Sequence, residues 1–356
     1  MVIRNADRFL ADAIESILDQ TFRDFEFIIL DFGSTDKSKQ IASGYASKDS
    51  RICLKEIPKC GLAAARNAAC FLARGRYIAI QDADDISLPH RLLAEVAFME
   101  GDPEVGLLGG AVQWINSHGS FLPTPEAYPT ADHEIRPQLK KWNTFWQPTV
   151  LIRREAFLQF GGYLEVLPQS EDYDLWLRIS EHHKCANLQQ VLVKYRIHPY
   201  QVSIRKRKEQ ILCALAAQAA ASLRLEGKRD PLISATEITS ALLTGMGVDQ
   251  ASQNEALAKG FSYWIRQVYA AGEYAAAVEG VKEMVNLLEL REVDRRFISD
   301  AYVLSAMASW KQRKIVPAIL SAGHAVFARP RVVGRPFKSL LRSFSGPNRS
   351  FEQRGS

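Results

Sequence analysis

No run in this 356-residue chain approaches the roughly 18 consecutive apolar residues that a membrane-spanning helix needs. Cysteine is scarce and unpatterned: Cys53, Cys60, Cys70, Cys185 and Cys213 form an odd set without a Cys-x-x-Cys pair. That excludes a disulfide-stapled scaffold and a zinc ribbon, and reads as reduced, mostly buried thiols of a cytosolic protein. The opening Met1-Val2-Ile3-Arg4-Asn5 is too short and too polar for a secretory signal. A Gly-x-Gly-x-x-Gly loop is missing, and no clean repeat period organises the chain. Acidic residues nearly vanish at the C-terminal end, where Arg329, Arg331, Arg335, Lys338, Arg342, Arg349 and Arg354 face Glu352 alone. The formal net charge of +5 therefore resides in residues 326–356, and the body is close to neutral. Such a distribution points to a local anionic contact and away from a nucleic-acid-binding surface.

What is present is an ordinary globular composition, 47% apolar and 24% charged, long enough for two domains. Phe9, Leu10, Ala13, Ile14, Ile17 and Leu18 recur at helical spacing. A strand-like run, Phe25 to Leu30, stops at Asp31-Phe32-Gly33-Ser34-Thr35-Asp36, and Ser34 or Thr35 can cap a helix through Gly44. A second strand fits Ile52 to Ile57 and a helix fits Leu62 to Ala73. A third strand, Tyr77 to Ile80, leads into Gln81-Asp82-Ala83-Asp84-Asp85. Strands separated by helices predict a mostly parallel sheet with helices on both faces. Residues 111–205 mix a loop containing Pro123, Pro125 and Pro129 with the aromatics Trp142, Phe145 and Trp146. From residue 206 the chain turns rich in Ala, Leu and Glu. Glu255–Ala271, Tyr274–Leu288 and Asp300–Trp310 read as antiparallel helices turning at Gly272 and near Arg291. The expected division is therefore 1–205, an α/β domain; 206–325, all-α; and 326–356, a basic tail.

In parallel sheets ligands bind beyond the carboxyl ends of the strands, and both Asp31 and the Asp82–Asp85 cluster fall there. Crowded carboxylates repel one another unless a cation or several donors neutralise them, and Mg²⁺ or Mn²⁺ bridging to phosphates is the usual cation. The plainer reading is a solvated acidic turn. Asp31 is open to the same two readings, as a ligand contact or as a turn residue bonded to its own backbone. Glu171-Asp172-Tyr173-Asp174-Leu175-Trp176 opens a buried helix; its acids either complement the helix dipole or supply a general base at a cleft rim.

Taken in succession, Asp31-Phe32-Gly33-Ser34-Thr35-Asp36, Gly61-Leu62-Ala63-Ala64-Ala65-Arg66-Asn67, Gly75-Arg76-Tyr77-Ile78-Ala79, Asp82-Ala83-Asp84-Asp85 and Glu171-Asp172-Tyr173-Asp174-Leu175-Trp176 resemble the family-2 inverting glycosyltransferases of GT-A fold. The resemblance runs from residue 1 to about 205, ending near Tyr195-Arg196-Ile197-His198-Pro199. It implies a metal-dependent transfer of sugar from a nucleotide-diphosphate donor, a UDP-sugar first, to a glycan or lipid-linked acceptor hydroxyl in surface polysaccharide or glycolipid synthesis. Position by position it implies that Asp31 binds the base and Arg66 lines the nucleotide pocket. Asp82 faces the ribose, Asp84 binds the Mn²⁺ or Mg²⁺ with His198, and Asp172, with Glu171 beside it, is the base. His198 is equally open to a purely structural role.

Two departures from the family pattern stand out. Met1–Asn5 corresponds only to the turn after the family's first strand, so that strand is expected to be absent, leaving backbone groups unpaired at the sheet centre. Phe32 replaces a small or acidic residue, and its ring either stacks on the base or narrows the pocket. Phe337, Leu340, Leu341 and Phe344 share a helical face among basic residues. They fit either a peripheral contact at the inner face of the cell membrane or a solvated terminus. Two alternatives remain beside the leading assignment: an inactive relative that binds or scaffolds, and a nucleotidyltransferase, which would need the missing Gly-rich loop.

Overall fold

The computed structural model describes residues 1–124, 128–201, 206–288 and 294–330. Pro125, Arg291 and the tail residues Phe337, Leu340, Leu341 and Phe344 lie outside them. The chain divides into two compact units, Met1–Gln253 and Asn254–Ser356.

The first unit holds a fully parallel three-stranded sheet, β1 (Val2–Ile3), β2 (Phe27–Asp31) and β3 (Ile52–Glu56), in the order β1-β2-β3. The strand expected to be absent is therefore formed, though by only two residues. Val2 pairs with Leu30 and Ile3 with Asp31, and the Leu30 and Phe32 amides donate to the Met1 and Ile3 carbonyls at 3.0 and 3.2 Å. All five residues of β2 are buried. Their alternation sends Phe27 and Ile29 toward Leu10, Ile14 and Ile17 of α1 (Leu10–Leu18) and Ala42 of α2 (Ser38–Ala46). Ile28, Leu30 and Phe32 go toward Ala65 and Ala69 of α3 (Leu62–Leu72). A strand apolar on both faces is what a parallel sheet covered by helices demands.

A second, five-stranded sheet is mixed. Its order is β4 (Tyr77–Ala79), β7 (Leu151–Arg153), β6 (Val105–Asn116), β8 (Lys184–Ile197) and β5 (Ile86–Ser87), with only β6 and β8 parallel. Helix α4 (Arg91–Gly101) follows β5, and α5 (Asp132–Leu139) and α6 (Arg154–Gln159) flank β7. Helix α7 (Glu171–Ser180) is buried along its whole length except at Asp172, with Trp176 wholly enclosed. Its Arg178 bonds the Phe160 and Gly162 carbonyls at 2.6 and 2.7 Å and pairs with Asp174. Helix α8 (Arg207–Leu225) supplies Ala217 and Ala221 to the same core. A short α9 (Ser240–Gly245) adds Leu243 to a cluster with Cys213 and Leu232.

The second unit begins within α10 (Gln250–Ala270) and continues through α11 (Tyr274–Leu287), α12 (Arg295–Lys311) and α13 (Ile315–Ala328), as the helical periodicity implies. Among the described residues no helix is long and apolar enough to cross a membrane.

Glycine permits the closest approach at the centre of β6. A Cβ on Gly109 would lie 2.3 Å from Asn187 Oδ1 and 2.7 Å from Phe145 Cδ1. Asn187 in turn donates to the Pro129 and Thr144 carbonyls at 2.9 and 3.2 Å, fixing the loop before β7. Gly109→Ala is expected to cost about 1–3 kcal/mol by overpacking, read as a lower denaturant midpoint at unchanged slope. An unshifted midpoint would show that this contact relaxes freely.

Candidate active site

Asp31 ends β2 and is buried, 3% exposed. Its Oδ1 accepts the amides of Gly33 and Ser34 at 2.9 and 2.8 Å, the turn-residue role open to it from sequence. Its Oδ2 is enclosed and has no hydrogen-bond partner, so the carboxylate retains an acceptor for something else. The Phe32 ring is buried against α3, and the Arg4 guanidinium lies 5.8 Å from its centre.

The acidic loop after β4 is held from below. Gln81 Nε2 donates to the Asp82 and Asp85 carbonyls, both at 2.9 Å. Gln81 Oε1 accepts from Ser87 Oγ at 2.6 Å and from Arg91 at 3.0 Å, and Arg91 is itself wholly buried against Glu95. From the side, the Arg196 amide donates to Asp85 Oδ1 at 2.7 Å and its Nε to the Asp84 carbonyl at 2.9 Å. Asp84 Oδ2 lies 3.0 Å from His198 Nε2. The His198 ring rests 4.8 Å from that of Phe9, and its Nδ1 is buried without a partner.

The segment after β1 reaches both clusters. Asn5 accepts the Thr35 amide at 2.8 Å and its own amide donates to Ser34 Oγ at 3.1 Å, while Phe9 backs His198. Arg66, on α3, joins the loop to α7: its guanidinium pairs with Asp82 at 3.2 Å and with Glu171. Glu171 is therefore enclosed by an ion pair, while its neighbour Asp172 is half-buried, the one residue of α7 left partly exposed. Asn143 donates to Asp172 Oδ2 at 3.4 Å.

The electrostatics follow from burial and crowding. Burial raises the pKa of Asp82 against the pull of Arg66, with Asp84 and Asp172 adding to the rise. Burial, with Asp84 and Asp82 alongside, lifts Asp85 well above the carboxylate range. Glu171 is pushed up to about 7 by burial despite Arg66, and burial also raises Asp172. Arg66 loses solvation on burial, yet Glu171 and Asp82 outweigh this and hold it above the ordinary arginine value. The site is thus short of positive charge. Among the described residues no three His, Cys, Asp or Glu side chains converge as a metal cage; Asp84 and His198 are a pair.

The profile of Glycosyl transferase family 2 matches residues 1–161. An uncharacterised glycosyltransferase of Methanocaldococcus jannaschii, MJ1057, is 37% identical over 210 residues, covering 57% of this chain and 71% of the relative. The chain belongs to glycosyl transferase family 2. This glycosyltransferase is also similar to the Escherichia coli UDP-Glc:alpha-D-GlcNAc-diphosphoundecaprenol beta-1,3-glucosyltransferase WfaP, 35% identical over 204 residues, 56% of this chain and 76% of WfaP. Its fold resembles the Pyrobaculum calidifontis mannosyltransferase PcManGT, solved with GDP-Man and Mn²⁺, at a TM-score of 0.51, 17% identity, 90% of this chain and 85% of that one.

Gln81, Arg91, Arg196 and Asn143 escaped the sequence reading. Only position marked any of them: Gln81 opens the acidic run and Arg196 lies within the His198 segment. Arg66→Met in this glycosyltransferase would leave buried Glu171 and half-buried Asp82 without their cation. The expected loss is about 3–5 kcal/mol near pH 8. It should shrink toward pH 5, because carboxylates with raised folded-state pKa values recover stability on protonation and lose it as pH rises. Denaturant unfolding at the two pH values tests this; equal losses would show that the ion pair is not the cause.

Proposed function

We propose that this enzyme transfers a sugar from a nucleotide-diphosphate donor to an acceptor hydroxyl in one displacement that inverts the anomeric centre. The observation that carries the reading is Asp172: it is the partly exposed carboxylate of an otherwise buried helix, one residue from the ion pair that ties that helix to the acidic loop. A base must reach the acceptor while its supports stay rigid, and this arrangement supplies both.

Asp31 Oδ2, the unpartnered buried acceptor, is suited to an N–H on the nucleobase edge. Asp82 would face the ribose, and Arg66 would border the nucleotide while keeping Asp82 oriented. The donor set of Asp84 and His198, one carboxylate and one imidazole beside surplus negative charge, fits Mn²⁺ or Mg²⁺ completed by diphosphate oxygens. Such an ion, when bound, neutralises charge developing on the departing nucleoside diphosphate. Asp172 takes the proton from the acceptor O–H as that oxygen bonds to the anomeric carbon. The bond from that carbon to the diphosphate oxygen breaks with its electron pair leaving on the diphosphate. Burial raises the Asp172 pKa, which makes it the stronger base, and Asn143 holds one of its oxygens. A UDP-sugar donor and a lipid-linked acceptor are supported by the likeness to WfaP; with them goes a place in surface polysaccharide or glycolipid synthesis at the inner membrane face.

Asp172→Asn is expected to lower kcat by about 10²–10⁴-fold while leaving metal-dependent nucleotide affinity within a few-fold of wild type. Radiolabelled sugar transfer and calorimetric binding separate the two. Retained turnover would discard Asp172 as the base.

A further inference from the structure

Helix α13 is built with its size order reversed. The face turned toward the neighbouring helix buries Ala318, Ala322 and Ala325, and the contacts with α12 are small and polar. Ser299 Oγ donates to the Ala325 carbonyl at 3.1 Å and the Ser305 and Ser321 hydroxyls meet at 3.0 Å. The opposite face carries the bulk: Ile315, Val316, Ile319, Leu320 and Phe327 are 57%, 67%, 64%, 59% and 87% exposed. A lone exposed leucine needs no explanation, but five large apolar side chains on one helix mark a surface that something covers.

Charge says what kind of cover. No residue from Ile315 to Ala328 is charged, and exposed Lys311, Arg313 and Lys314 stand immediately before the helix. Between Asp300 and Glu352 the sequence holds nine Lys and Arg and no Asp or Glu. A second copy of this surface would set cation against cation, and so would the chain's own following segment. The cover must instead be apolar in body and anionic at its rim.

We propose that α13 lies in the interface of an anionic lipid bilayer. Its large aliphatic face enters the headgroup–acyl boundary, and the lysines and arginines at its ends meet lipid phosphates. The inference stands on this helix and its flanks and not on the transferase assignment. Vesicle binding without donor or acceptor therefore fails or succeeds separately from catalysis.

The test is sedimentation of the full chain with vesicles of phosphatidylcholine alone and of phosphatidylcholine with phosphatidylglycerol. The expected result is binding to the anionic vesicles only, weakening as salt rises. Paired Ile319→Asp and Leu320→Asp should lower the affinity about tenfold or more, since both charges would sit on the inserted face. Phe327→Ser, with a smaller expected loss, guards against misfolding of the double variant, and circular dichroism checks both. Absent binding to anionic vesicles overturns the proposal. So does binding that the apolar variants leave intact, which would be charge alone. Self-association or capture of an acidic protein through this face, without vesicle binding, overturns it as well.

Discussion

A single guanidinium ties together two distant acidic segments of this protein. Asp82 and Glu171 come from segments nearly ninety positions apart, and each would resist burial near the other without Arg66 between them. The pairing fixes where α7 begins relative to the acidic loop. Asp172 inherits its position from that constraint, being the next residue along the same helix. A buried ion pair of this kind contributes little net stability, because desolvation consumes much of the Coulomb gain. Its effect is geometric: removing the cation strands two carboxylates, so alternative arrangements are disfavoured.

Around that pair, neutral and charged donors immobilise the loop without neutralising it. Gln81 spans the loop's two ends through backbone carbonyls, and Arg91 and Ser87 fix Gln81. Arg196 grips backbone and the inner Asp85. These bonds leave Asp31 Oδ2 and His198 Nδ1 buried and unpaired. Buried acceptors and ring nitrogens without partners are costly, and a site that keeps them is preorganised for a ligand to supply what is missing.

Much of this was legible beforehand, for physical reasons. The strand-like runs Phe25–Leu30 and Tyr77–Ile80 lead into Asp31 and into Gln81-Asp82, so their termini and the acids beyond them could be read directly from periodicity. The helical character of the C-terminal half followed from its Ala- and Leu-rich spacing. Other features were hidden. The two-residue β1 carries too few residues to signal a strand, and only pairing with Leu30 and Asp31 defines it. β4 sits in a mixed sheet because its partner, Leu151–Arg153, arrives some seventy residues later and antiparallel. Which neighbours Phe32 packs against was equally hidden; the strand's alternation turns it toward the α3 core.

Sequence alone determined the element types, the acidic clusters at strand ends and the family, because local spacing and short motifs carry that information. Only the tertiary structure decided which acid is enclosed and which partly exposed, Glu171 against Asp172, and that α13 shows its isoleucines while hiding its alanines. Those choices depend on which distant surface packs against each helix face, and no local pattern records the partner.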